Sequence, residues 1–491
     1  VIRLAKRYTT WAENPSVPLP YYVGTFFAFV TLRNWLEILS DRTEVCASVH
    51  VHYYLFHLCM AMSLALLISA MTSQPAQATL RLVLSSYFLV LLAPVLDLLL
   101  SGGRGYDMTY LLPERHSDLV LRYFTIGGSW HEGGITPGMK LETLVVLGCS
   151  YVYSRSKGLT WLRGLTLIVA MYSVGFGYAL LPFLLRGAGR NTEALFTKFY
   201  LIAGALLLVA LVWRWHRESL VAAARRARPY RQIHAVLMVT LGVVLALPFA
   251  QRDHLAFDIA LIALATISGC LCLVALSDRL GEGERMRGTE GGTGPGAEAG
   301  SEGALAAGLG VLSVALAAAV EYYIAFLVLV PLALYALYSL PPLRLKRRAV
   351  VSKLPVALGS LACVQMGYVF AGSGPLELPP PVMIWFAVPF FLATNLIDLK
   401  DYEEDKRQGI KTLVVRWGLE RSKLAIGLFV FLGYVSAPLV FDQPALLLPG
   451  IAAGAIQWLL ITRQRYQERW SFLLYLTSLG VLIGALIGRT G

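Results

Sequence analysis

The stretch PPVMIWFAVPFFLATNLIDLKDYEEDKRQGIKTLVVRWG, residues 380–418, decides how this chain is read. Residues 380–397 carry no charge, and the next ten residues carry eight. An apolar run of about 20 residues spans a bilayer, and slightly shorter runs do so between interfacial anchors. The spacing predicts a membrane span that delivers an acidic cluster to its end. Asp398, Asp401 and Asp405 stand at i, i+3 and i+7, so on a helix they share one face, while Glu403 and Glu404 point elsewhere. Three stacked carboxylates repel one another and call for counter-charge. Mg²⁺ is the simplest partner, a hard cation that takes one or two carboxylates together with phosphate oxygens and water. Lys400, Lys406, Arg407 and Lys411 are near enough in sequence to bind the remaining charge of a polyanionic ligand. A solvated, self-paired charged loop is the bland alternative. The position at a span end and Gly409 closing the helix favour a functional site.

The rest of the chain agrees with a membrane setting. Of 491 residues, 57% are hydrophobic and 15% charged, against about 45–50% and about 25% in ordinary soluble domains. The mean hydropathy is +0.62. These proportions exclude a disordered chain, and six cysteines in this length exclude a disulfide scaffold. The net charge of +12 is no nucleic-acid signature, because the basic residues form short clusters between apolar stretches, as the positive-inside rule requires. The clusters at 154–164, 214–231, 344–348 and 462–469 are expected to face the cytoplasm.

Apolar runs at 21–38, 51–72, 80–100, 141–153, 160–185 and 195–213 give about six spans before the basic linker 214–231. Runs at 232–250, 255–277, 304–320, 322–340, 355–371, 380–397, 423–441, 443–461 and 470–488 give nine after it. The expected organisation is an all-α, multi-pass integral membrane protein. An N-terminal transmembrane domain (1–213) is followed by the cytoplasmic linker (214–231) and a nine-helix domain (232–491). The Gly- and Glu-rich segment 281–303 reads as a flexible loop. His50, His52 and His57 read as an interfacial cluster rather than a metal site, since no carboxylate or cysteine lies at ligand spacing.

D-x-x-D-x-x-x-D followed by G-I-K-T-L-V-V-R-W-G resembles the second aspartate-rich motif of the UbiA superfamily of intramembrane prenyltransferases, with Val414 where the family has proline. LYSLPPLRLKRR (337–348) is similar to the Y-S-x-P-P-x-x-x-K stretch after the family's fourth helix, with Lys346 at the closing position. Nine helices with the acidic motif after the sixth is also the family's architecture. The resemblance covers roughly 225–491. The first motif departs from the pattern. Where the family has N-x-x-x-D-x-x-x-D this chain reads V-A-L-S-D-R-L-G-E, so Val274 replaces the asparagine while Asp278 and Glu282 keep the acidic spacing.

The resemblance implies a UbiA-like nine-helix transmembrane bundle that moves a prenyl group from an isoprenoid diphosphate to a lipophilic acceptor inside the bilayer. It implies Mg²⁺ held by Asp278, Glu282, Asp398, Asp401 and Asp405, and a diphosphate bound by Arg344, Lys346 and Lys411, with the active-site loops cytoplasmic. The alternative is a degenerate relative that binds isoprenoid or lipid without turnover, which Val274 favours. A CDP-alcohol phosphotransferase would need a D-G-x-x-A-R run, which the chain lacks. Single-cysteine accessibility labelling is expected to place 214–231, 278–303, 341–354, 398–422 and 462–469 on one side of the membrane. Labelling of 398–422 from the opposite side would overturn this topology.

Overall fold

A computed structural model describes residues 2–40, 47–106, 117–128, 135–185, 192–226, 229–246, 255–287, 297–339, 345, 351–372, 374, 377–407, 409–410, 412–464 and 466–488. Its ordered elements are helical almost throughout. In the first half run α1 (Ile2–Ala12), α2 (Leu19–Ser40), α3 (Ala47–Thr72), α4 (Ala76–Ser86), α5 (Leu92–Leu100) and α6 (Ser117–Phe124). They are followed by α7 (Pro137–Ser156), α8 (Trp161–Ala179), α9 (Leu181–Leu184) and α10 (Thr192–Arg226). The second half holds α11 (Pro229–Leu245), α12 (Leu255–Arg287), α13 (Ala297–Ala318), α14 (Tyr322–Ser339), α15 (Leu354–Phe370), α16 (Pro380–Trp385) and α17 (Phe391–Ala393). It closes with α18 (Tyr402–Arg407), α19 (Leu413–Trp417), α20 (Leu419–Val440), α21 (Leu447–Thr462) and α22 (Glu468–Gly488).

The chain divides into two compact units, one of Val1–Leu220 with Asp253–Phe257, the other of Val221–Arg252 with Asp258–Gly491. Among the described residues 11 helical stretches are long and apolar enough to cross a membrane. Four lie in the first unit and seven in the second, where the shorter apolar helices Gln232–Leu245 and Ala306–Ala318 complete nine. In the first unit α2 and α7 carry charge. The α2 pair Arg33–Glu37, one turn apart, forms a 2.9 Å ion pair with both side chains under 10% exposed. At the start of α7, buried Asp97 accepts from Thr136 Oγ1 (2.5 Å) and from the Gly138 amide (2.7 Å), satisfying the first turn. Charges at membrane depth persist when paired in this way.

Of the six runs expected to span before the linker, 21–38 and 141–153 fall on the charge-bearing α2 and α7. Neither is among the described helices long and apolar enough to cross a membrane. The segment 281–303 is shorter as a loop than its composition suggested, because α12 continues to Arg287 and α13 begins at Ala297. Glu and Arg propagate a helix that already has a nucleus. Two of the three histidines pack into the interior of the unit. His52 and His57 are buried, and His57 Nδ1 lies 2.9 Å from the Tyr87 hydroxyl, while the His50 side chain is outside the described residues.

The core of the second unit joins α11, α15, the 386–390 segment and α22 through Leu241, Val364, Tyr368, Phe386, Phe390 and Leu482. The α11–α15 crossing sets its tightness. A Cβ on Gly242 would stand 1.8 Å from the Val364 carbonyl oxygen, and one on Gly367 would stand 1.9 Å from that of Val239. The two glycines let the backbones touch, as small residues do between membrane helices. Gly242→Ala and Gly367→Ala are expected to cost at least about 1–3 kcal/mol, because backbone and not a side chain must move. Gly480→Ala, with open space around it, should be neutral. Thermal unfolding in detergent compares the three.

Candidate functional site

The span that opens the acidic motif is not one regular helix. It runs through α16, a π-helical segment Phe386–Phe390 containing Pro389, the short α17, and a 3₁₀ segment Thr394–Leu399. Proline cannot donate to the helical ladder, and a wider turn accommodates the break. The 3₁₀ segment ends at a turn over Lys400 and Asp401, and α18 follows. The acidic residues therefore step through mixed helical turns rather than along one straight face. Asp398, Asp401 and Asp405 nevertheless all line one cavity of about 930 Å³, and neither Glu403 nor Glu404 does.

The other residues of the motif act as punctuation. Gly409, at φ +68°, ends α18 in the left-handed conformation, with the Ile410 amide returning to the Asp405 carbonyl at 2.9 Å. Thr412 caps α19 by accepting from the Val415 amide at 3.3 Å. Val414, in the proline position, is fully buried in a cluster with Leu399, Ile426, Val430 and Ile461. These contacts fix the loop that carries the carboxylates.

Electrostatics centre on a residue that motif reading missed. Lys353, buried just before α15, pairs its Nζ with Asp398 Oδ1, and both side chains are under 10% exposed. In sequence it stands outside both the acidic motif and the basic 344–348 cluster. Only the packing of α15 against the acidic span distinguishes it. Lys400 pairs with Glu468 at 2.7 Å, tying the acidic loop to the first turn of α22. Partial burial and then the nearby charges of Asp398 and Asp401 push the Asp405 carboxyl up to about 6, against the pull of Lys353.

Among the described residues no three His, Cys, Asp or Glu side chains converge closely enough to hold a metal ion alone. Asp398 Oδ2 is buried and lacks a hydrogen-bond partner. An orphaned carboxylate oxygen on a cavity wall fits a cation whose shell is completed by phosphate oxygens and water. From the first motif, Val274 lines the same cavity, so an apolar side chain stands where an amide would. Asp278 and Glu282 lie on the α12 backbone, with side chains outside the described residues. Arg344, Lys346 and Lys411 also lie outside them.

The remaining wall of the cavity is largely apolar, with Leu273, Val328, Leu332, Trp385, Phe390 and Leu482 among its residues. Residues 303–479 match the model of the UbiA prenyltransferase family. The second unit carries a UbiA-family domain. No curated protein matches the chain. Solved structures of UbiA homologues from Archaeoglobus fulgidus are similar to it. One bound to DMAPP and Mg²⁺ has 19% identity over 54% of this chain and 96% of its own, with a TM-score of 0.43. One bound to GPP and Mg²⁺ has 16% identity over 54% of this chain and 98% of its own, also with a TM-score of 0.43.

The UbiA-family domain thus holds its acidic loop over a deep apolar cavity, and Asp405 gives a measurable handle on it. Its raised folded value means that stabilisation is full below the ordinary carboxylate range and is lost as pH rises through about 6. Asp405→Asn removes that loss. In metal-free protein the variant is expected to unfold at a higher temperature than wild type at pH 7.5. The gain should be at most about 1 kcal/mol, given the side chain's partial exposure. It should vanish at pH 4, as a pair of thermal melts would show.

Proposed function

We propose that this protein is a Mg²⁺-dependent intramembrane prenyltransferase, moving a prenyl group from an isoprenoid diphosphate to a lipophilic acceptor. The observation that carries the reading is the joint placement of Asp398, Asp401 and Asp405 on the wall of one large, mostly apolar cavity. Carboxylates at the end of a membrane span suit a cation-bound diphosphate, and the apolar volume suits the hydrocarbon chain attached to it.

The chain's own residues divide the work. Asp398, Asp401 and Asp405 would hold the metal, with Asp278 and Glu282 contributing by their motif spacing. Mg²⁺, when bound, supplies charge that stabilises the departing diphosphate. Lys353 stands against Asp398 and orients its carboxylate before ligands arrive. Lys400, held by Glu468, keeps the loop seated on α22. Arg344, Lys346 and Lys411 would bind the phosphate oxygens on the cytoplasmic side. The apolar wall excludes water, so the allylic carbon exposed as its C–O bond breaks meets the acceptor rather than solvent.

A second reading has one observation in its favour: Val274 on the cavity wall. A protein lacking a polar group there would bind isoprenoid diphosphates and not turn them over. Purified protein assayed with labelled prenyl diphosphates, with and without Mg²⁺, separates the two. Metal-dependent diphosphate release is expected. Binding without release would establish the second reading, and no binding would overturn both. Each Asp→Asn change at 398, 401 and 405 is expected to lower the rate roughly a hundredfold or more and to weaken Mg²⁺-dependent diphosphate binding. Glu403→Gln should do little. Equal losses at Glu403 and Asp401 would refute the assignment.

A further inference from the structure

Deeper along the same cavity three helices bring together a histidine, a tyrosine and a serine that no diphosphate chemistry uses. His234 comes from α11, Ser360 from α15 and Tyr475 from α22, and all three line the cavity. Tyr475 Oη lies 3.0 Å from His234 Nδ1, and His234 Nε2 lies 3.1 Å from Ser360 Oγ. The proton positions follow from the donor count. The Ser360 hydroxyl donates its one hydrogen to the Val356 carbonyl at 3.0 Å, so toward His234 it can only accept. His234 Nε2 therefore carries the ring proton, and neutral Nδ1 accepts from Tyr475 O–H. The Tyr475 oxygen keeps a lone pair for a further donor.

Aromatic rings surround this group. The His234 ring is stacked with Phe390 at 5° and 6.3 Å between centroids, and Phe472 lies 5.6 Å from Tyr475. Trp385, 5.6 Å from Phe390, extends the wall. Flat faces around one hydroxyl favour a planar ring that bears a hydroxyl of its own. The acidic loop is near. Glu468, which anchors Lys400, is seven residues before Tyr475 on α22, about 10 Å along the helix axis.

We propose that Tyr475 is the group that receives the acceptor's proton in this cavity, with His234 as the positioning base behind it. The proposal rests on the prenyl-transfer reading. A lone pair on the acceptor oxygen, or a π pair of its ring, forms the bond to the prenyl carbon, and the O–H or C–H bond then breaks with its electron pair left on the oxygen or returned to the ring. The carbon–oxygen bond to diphosphate breaks, and the diphosphate leaves with the pair of that bond. The released proton passes to Tyr475 Oη while the proton of Tyr475 moves to His234 Nδ1. The resulting imidazolium donates to both Ser360 and Tyr475, then returns its proton to water before the next turnover.

The test uses the full chain in detergent with 2-naphthol, a hydroxyaromatic photoacid whose emission reports whether a neighbouring group accepts its proton. Bound to wild type it is expected to emit as naphtholate. In Tyr475→Phe, and in His234→Gln, which accepts a hydrogen bond but no proton, the emission should shift to the neutral naphthol band. Geranyl diphosphate binding with Mg²⁺, measured by calorimetry, should survive in both, which a merely structural role would not produce. Neutral emission in wild type, naphtholate emission that survives both substitutions, or no binding of naphthol would each overturn the proposal. Loss of geranyl diphosphate binding in wild type would instead overturn the prenyl-transfer reading. As a check that needs no variant, ¹⁵N NMR of histidine-labelled wild type should find His234 protonated at Nε2, and protonation at Nδ1 would overturn the relay.

Discussion

The buried ion pair between Lys353 and Asp398 is the constraint around which the second unit is arranged. A carboxylate at the end of a membrane span cannot remain charged in a low-dielectric wall without a partner, and removing one member of such a pair costs several kcal/mol. Lys353 is brought to Asp398 because α15 begins immediately after it, and α15 is in turn held by its glycine-mediated contact with α11. The acidic loop is fixed from the other side by Lys400 on Glu468 of α22. Helices α11, α15 and α22 thus stand in register with the carboxylates, and the cavity is the space they leave.

The broken span serves the same geometry. A straight helix through 380–407 would carry its aromatic residues past the cavity on a regular spiral. The π-helical turn at Phe386–Phe390 changes the phase, so Trp385 and Phe390 both line the cavity together with the carboxylates further on. The Trp385 indole N–H is satisfied by Ser436 Oγ at 3.1 Å, which keeps that large ring in place on α20. One irregular segment therefore supplies both the ionic end and part of the aromatic wall.

The first unit solves a related problem by pairing its charges. Arg33 and Glu37 neutralise each other within one helix, and Asp97 is consumed by Thr136 and the Gly138 amide. Both carboxylate oxygens of Asp97 are paired, whereas in the second unit Asp398 keeps one buried oxygen unpartnered. That difference in satisfaction separates structural charge from charge held ready for a ligand.

Much of this was legible in the residues. Hydrophobic run length located most of the long apolar helices, since a bilayer imposes that length on any sequence. The runs at 21–38 and 141–153 fall instead on α2 and α7, which are not among those described helices. The spacing of Asp398, Asp401 and Asp405, with Gly409 and Thr412 after them, marked the acidic loop because caps and turns are local chemistry. Tertiary structure decided the rest. Lys353 lies 45 positions from Asp398, and no local pattern couples them. His234, Ser360 and Tyr475 are isolated polar residues in three apolar helices, and their grouping depends on how closely Gly242 and Gly367 allow α11 and α15 to approach. The sequence determined where the chain enters the membrane and where it bears charge. Which distant side chains meet was decided by helix packing, because contacts between helices depend on rotation and separation that no single segment encodes.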